Sequence, residues 1–272
     1  MFNSIMDKIK SGGDRLRQGL NIVLAVSQVV VTIVGYMVRS NDTFTSSDAG
    51  TSPIVPADYT FSVWSLIYAG ALAYAIYQAL PQQRGDALLR RVGFYTASAY
   101  LATTIWLIAA QTGLAWFTIV CMFWILISLL GAFIQIIRWH TPFTQAQRWL
   151  VILPISIYAA WATIASIANP ASILHQSGIT SLGGLPATTW TIIMLLVGTG
   201  IAAFVTIKSR GNAGYALTFC WALIGIVVAN ITRSPNRPIA ILAAILAVGM
   251  IALLSWARTN LRRLSITGSF NA

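Results

Sequence analysis

Glutamate is absent from this 272-residue chain, and the six acidic residues are all aspartate: Asp7, Asp14, Asp42, Asp48, Asp58 and Asp86. Charged residues of both signs make up 8% of the sequence, about a third of the ~25% usual in soluble domains. A soluble globule of this size would lack the polar surface to cover its core. Histidine is limited to two residues and cysteine to Cys121 and Cys220. Both cysteines sit inside apolar runs. They give no disulfide framework and no metal-ligand spacing, and they fit buried thiols packing as small hydrophobes. There is no paired carboxylate, no Ser/His/Asp set and no phosphate-cradling glycine loop. Acid–base and zinc chemistry have no visible apparatus. No catalytic residue, metal or cofactor is expected.

What is abundant is apolar. Hydrophobic residues make up 57%, with 10 Trp, 9 Tyr and 11 Phe, and the mean hydropathy is +0.75. Intrinsic disorder is excluded by the same numbers. Eight long runs carry no charged residue: 18–38, 61–80, 92–112, 114–137, 149–169, 188–207, 215–231 and 238–256. At 1.5 Å per residue each is close to the ~30 Å hydrocarbon thickness as a helix. The runs do not alternate apolar with polar, as barrel strands would. Only Gly113 separates the third run from the fourth, so Gln111-Thr112-Gly113 is expected to be a tight turn. The expected class is an all-α integral membrane protein with eight transmembrane helices.

The basic residues fix an orientation. Lys8, Lys10, Arg15, Arg17, Arg84, Arg90, Arg91, Arg138, Arg148, Lys208, Arg210, Arg258, Arg262 and Arg263 fall on one side of this arrangement. Arg39, Arg233 and Arg237 fall on the other. The positive-inside rule puts the fourteen, and both termini, in the cytoplasm. A basic excess can also mark nucleic-acid binding, but here the loops of a membrane protein account for it, and no nucleic-acid partner is expected. In residues 1–17, Phe2, Ile5, Met6 and Ile9 share one helical face, which reads as an interfacial helix ended by Ser11-Gly12-Gly13. The alternative is a signal peptide cleaved after Ser27. The first run stays apolar well past that point, which favours a retained helix.

No Asp, Glu, Lys, Arg or His lies within any of the eight runs. This argues against a proton-coupled pump, while sodium coupling through carbonyls and hydroxyls stays open. His140 and His175 are expected in loops on opposite sides. What the interior offers is aromatic. Trp116, Trp139, Trp149, Trp190 and Trp256 sit at run ends, as an interfacial belt does. Trp106, Trp124 and Trp161 lie well inside, and Trp64 one turn in.

Three local patterns carry a resemblance. Pro56-Ala57-Asp58-Tyr59-Thr60-Phe61-Ser62-Val63-Trp64-Ser65-Leu66-Ile67-Tyr68 resembles the loop-into-helix motif of the translocator protein / tryptophan-rich sensory protein family, roughly P-P-x-W-x-F-x-x-V-W-x-x-L-Y. One of the two prolines is present. Thr103-Thr104-Ile105-Trp106 is similar to the family's N-x-x-W, with Thr103 where asparagine is usual. Tyr158, Trp161, Ala165 and Asn169 fit the family's fifth helix, P-Y-x-x-W-x-x-x-A-x-x-x-N, with its proline displaced to Pro154. The order and helix numbers agree.

The motifs span roughly 18–169. The resemblance therefore implies a segment 1–17, a five-helix core over 18–169, and a three-helix extension with a basic tail over 170–272. Read from spacing, Phe61, Trp64 and Tyr68 share one helical face, Tyr100, Thr103 and Trp106 a second, and Tyr158, Trp161, Ala165 and Asn169 a third. These faces can line a flat, mostly apolar pocket, or they can be ordinary helix packing. The resemblance implies Pro56, Phe61, Trp64, Tyr68, Thr103, Trp106, Tyr158, Trp161, Ala165 and Asn169 as ligand-binding positions. It implies a porphyrin, a related tetrapyrrole or a sterol as the ligand of a sensor, carrier or transporter. A Trp-dependent porphyrin-degrading enzyme and a structural membrane subunit are the alternatives. The other expected partner is the lipid bilayer, in a bacterial cell membrane. Ala240 and Ala244, with Ala243 and Ala247, have small-xxx-small spacing. The extra helices can use it to dock on the core or to occupy a homodimer surface.

Overall fold

The computed structural model describes residues 2–38, 52–179 and 181–261. Eight long helices account for nearly all of them: α1 (Phe2–Val38), α2 (Val63–Ala79), α3 (Ala87–Gln111), α4 (Ala115–Ile137), α5 (Leu153–Gln176), α6 (Ala187–Lys208), α7 (Ala213–Thr232) and α8 (Arg237–Trp256). Each overlaps a segment long and apolar enough to cross a membrane, which in α1 is Gly12–Val38. Among the described residues the fold is all-α except for a hairpin of two two-residue strands, Ser181–Leu182 against Leu185–Pro186, between α5 and α6. The eight-helix expectation is borne out.

Polar residues start the helices. Asp86 accepts from the Leu89 amide at 2.8 Å and Asn212 from the Tyr215 amide at 3.0 Å. Each satisfies one of the donors that a helix start leaves free. Thr144 and Gln147 form a reciprocal capping box ahead of α5. The turn between α3 and α4 is as tight as expected, and Gly113 holds it at φ +79°, a conformation that costs glycine nothing.

Two expectations fail locally. Gly12 and Gly13 do not end a short N-terminal helix, because α1 runs unbroken from Phe2 to Val38. A glycine costs a helix only about 1 kcal/mol, and the turn that follows is pinned by Asp14, Arg17 and Gln18. His175 lies in the last turn of α5, not in a loop. The side chains of Phe2, Ile5, Met6 and Ile9, and residues Arg39, Arg262 and Arg263, lie outside what is described.

The chain forms two compact units, Met1–Asp42 with Trp64–Ala159, and Thr43–Val63 with Ala160–Ala272. One boundary between them falls at the start of α2 and another within α5. In the first unit α1 lies beside α3, joined by Ser27 Oγ to Thr104 Oγ1 at 2.8 Å and by Gln111 Nε2 donating to Val31 O at 3.2 Å. α2 also borders α1, with Gln18 Nε2 donating to Gln78 O at 2.7 Å. α4 packs on α3, where Trp124 Nε1 donates to Ser98 Oγ at 2.9 Å. On α4, Trp116, Val120, Phe123 and Ile127 form an exposed apolar stripe. Water would not tolerate such a stripe on a monomer; lipid does.

In the second unit α6, α7 and α8 pack against one another. Ala243 and Ala247 of α8 are buried, and Cys220 Sγ of α7 lies 3.8 Å from Ala247 O. The small-residue stripe of α8 thus brings it close to its neighbour α7. On α8, Ile241, Ile245 and Val248 are exposed, again at helical spacing. Cys121 and Cys220 are both buried free thiols.

Candidate ligand-binding site

The first unit gathers an aromatic cluster from three helices. Trp64 and Tyr68, one turn apart on α2, have ring centroids 5.5 Å apart. Trp64 stacks on Trp106 of α3 at 5.8 Å, with 17° between the planes. Tyr158 of α5 meets Trp64 edge-on at 5.9 Å and stacks on Tyr100 of α3 at 6.4 Å. Pairs in this geometry contribute about 0.5–1.5 kcal/mol beyond the area they bury.

Thr103 occupies the position where the family resemblance expects asparagine, and its role is clear. Its hydroxyl is hydrogen-bonded to the Tyr158 hydroxyl. It also donates to Ala99 O at 2.7 Å. One hydroxyl has one proton, so Tyr158 is the donor in the pair. Tyr100, Thr103 and Tyr158 are buried, while Trp64, Tyr68 and Trp106 are half-buried. The cluster contains no ionised group. It offers two stacked, near-parallel indoles, three phenols and a threonine hydroxyl, a flat and largely apolar surface.

The other five expected positions fall in the second unit. Phe61 meets Trp161 edge-on at 5.5 Å, and Trp161 is buried. Ala165 and Asn169 follow it at one-turn intervals on α5 and are half-buried. Pro56 is buried in a segment fastened to α7. Asn230 Nδ2 donates to Pro53 O at 2.7 Å, and Arg233 Nη2 donates to Val55 O at 2.7 Å. The Ala57 amide donates to Gly225 O at 3.0 Å. Trp221 Nε1 donates to Thr60 O at 3.0 Å, and its ring meets Tyr59 at 5.4 Å. Arg233 Nη1 lies 3.7 Å from Asp58 Oδ1. The expected positions are thus distributed five to each unit.

Sequence reasoning missed two features. One is this fastening by Trp221, Asn230 and Arg233. Arg233 counted there only as one of three outer basic residues, although Asp58 supplied an opposite charge on the same side. The other is a polar stripe on α1: Asp14, Arg17, Gln18, Asn21 and Gln28, all buried, with Thr32 one turn further on. Their spacing of 3, 4 and 7 marks one helical face, which an inspection for charge alone passed over. Asn21 Nδ2 donates to Gly93 O at 2.8 Å, and Thr96 Oγ1 to Asn21 Oδ1 at 2.7 Å. The Thr32 hydroxyl lies 3.1 Å from Tyr68 Oη, so the stripe reaches the aromatic cluster.

The TSPO-like protein family model matches residues 18–256. The motifs pointed to 18–169; the match continues through α6, α7 and α8, so the three additional helices belong to the matched region. No curated protein and no solved structure matches the chain. A match over this length, on a chain of eight membrane-length helices, identifies an integral multi-pass membrane protein that belongs to the TSPO-like protein family.

Proposed function

We propose that the protein binds a planar, polycyclic hydrophobic molecule, of tetrapyrrole or sterol type, at the aromatic cluster of the first unit, and acts as a membrane sensor or carrier. The observation that carries this reading is the Trp64–Trp106 stack, with Tyr68 and Tyr158 on the same indole. Indole rings present stacking surface with few rotamers to freeze. Burial in a hydrocarbon environment favours a ligand that shares the apolar character of the walls. The orientation that accompanies this reading places the fourteen-residue basic side in the cytoplasm, on the strength of the loop charges.

Titration of the purified protein in detergent with protoporphyrin IX, followed by Trp fluorescence, tests the reading. Saturable quenching is expected, and Trp106→Leu is expected to weaken affinity about tenfold, by removing one stacking face. Absence of quenching in the unmodified protein ends the proposal. The porphyrin absorption band, followed in light and in darkness, separates binding from breakdown: a band lost only in light assigns the enzyme alternative instead.

A further inference from the structure

Gln28 is fully buried on α1. Neither its Nε2 nor its Oε1 has a hydrogen-bond partner among the described residues. An enclosed primary amide with both ends unmatched is costly and uncommon. The other two amides of the α1 polar stripe do not share this condition, while Arg17 lacks a partner among the described residues only at Nε. Asn21 is bonded to Gly93 and Thr96, and Gln18 to Gln78.

The registers of the neighbouring helices place Gln28. On α3, Ser27 pairs with Thr104 and Val31 with Gln111, so Gln28 lies at the level of the turn that carries Thr103, Thr104 and Trp106. On α2, Gln18 pairs with Gln78 and Thr32 with Tyr68, so Gln28 lies one turn along from Tyr68. Thr32 ties the two levels together, with its hydroxyl 2.8 Å from Gln28 O and 3.1 Å from Tyr68 Oη. A second unmatched group stands at the same level. Trp106 Nε1 is buried and has no partner among the described residues, although the ring stacks on Trp64. One donor–acceptor pair and one lone donor therefore border a single aromatic cluster. All of them belong to the first unit.

We infer that Gln28 is the polar recognition residue of this cluster, and that its ligand is a planar apolar molecule carrying a neutral donor–acceptor group, such as a carboxamide, a lactam or a protonated carboxyl. A carbonyl on the ligand accepts from Nε2, and an N–H or O–H on the ligand donates to Oε1. Trp106 Nε1 adds a donor for a second acceptor. Bound ligand thereby matches the groups that the protein leaves unmatched. The inference rests on the proposed binding function and adds its chemical selectivity.

Two neutral probes of equal ring system test it: the diamide and the dimethyl ester of protoporphyrin. The ester keeps the carbonyl acceptors and loses the donors. The protein is expected to bind the diamide about tenfold more tightly, and in Gln28→Met that preference is expected to vanish. Without ligand, Gln28→Met is expected to melt at or above the temperature of the unmodified protein, because an unmatched amide has been replaced by an apolar chain of similar length. Equal affinity of the unmodified protein for the two probes overturns the inference, as does a preference that survives in Gln28→Met. Early melting or failure to fold of Gln28→Met also overturns it, by showing that the amide is a structural contact. Binding of neither probe by the unmodified protein removes the proposed function itself, an outcome distinct from the other three.

Discussion

Asp14→Ala is expected to destabilise the protein by about 3–5 kcal/mol, the usual cost of leaving a buried charge without its counter-ion. The charge in question is Arg17, whose side chain is 1% exposed. Its Nη1 donates to Gln78 Oε1 at 3.1 Å and its Nη2 to Arg84 O at 3.0 Å. These partners are neutral. Asp14 Oδ1, 3.9 Å from Nη2, supplies the negative charge. The methylenes of Arg17 lie where a Cβ on Gly93 would be, with Cγ 2.6 Å from that position, so the side chain is held in place by packing. Arg90 also binds Asp14, at 2.5 and 2.9 Å, but its side chain is 44% exposed and water compensates for its loss. Arg90→Met is therefore expected to cost about 1 kcal/mol or less. Unfolding both variants by denaturant titration in detergent reads the contrast. Equal losses would mean that Arg17 does not depend on Asp14.

The second large effect is expected at Gly225→Ala, a loss of about 1–3 kcal/mol from overpacking. An added Cβ would overlap Thr60, lying 2.8 Å from Cγ2 and 2.9 Å from Cβ, with Oγ1 nearer still. Thr60 has little freedom to give way. It is fully buried, its amide donates to Ala57 O at 2.9 Å, and its carbonyl accepts from Trp221. The carbonyl of Gly225 also receives the Ala57 amide, so the strain falls on the segment that carries Pro56 and Phe61. Gly249→Ala is the control. Nothing lies within 4 Å of the Cβ it would add, and alanine there is expected to stabilise α8 by up to about 1 kcal/mol. Opposite shifts in melting temperature for two glycine-to-alanine changes are the signature. A stabilised Gly225→Ala would mean that the segment before α2 is not pressed against α7.

The helices were legible in the sequence because membrane insertion makes a simple demand. Hydrocarbon offers backbone groups no partner, so long uncharged runs must fold as helices. Composition alone separated these runs, and Gly113 marked the one ambiguous turn. The aromatic positions were also legible. Spacing places Trp64 and Tyr68 one turn apart, and such residues share a face whatever surrounds the helix.

Periodicity determines which face a residue occupies, but not what that face meets. Only the tertiary structure decided that Trp64 stacks on Trp106, that Thr103 serves Tyr158, and that five expected positions fall in one unit and five in the other. It also decided the fate of the charges. By sequence Arg17 and Arg233 were basic residues beside membrane spans, counted for orientation. In the folded protein Arg17 is buried against Gln78 and the Arg84 carbonyl, and Arg233 fastens the segment before α2 to α7. The physical reason is that a buried polar group needs a partner in three dimensions. That partner is set by packing among residues far apart in the chain, 61 positions for Arg17 and Gln78 and 178 for Arg233 and Val55, separations at which sequence spacing carries no information.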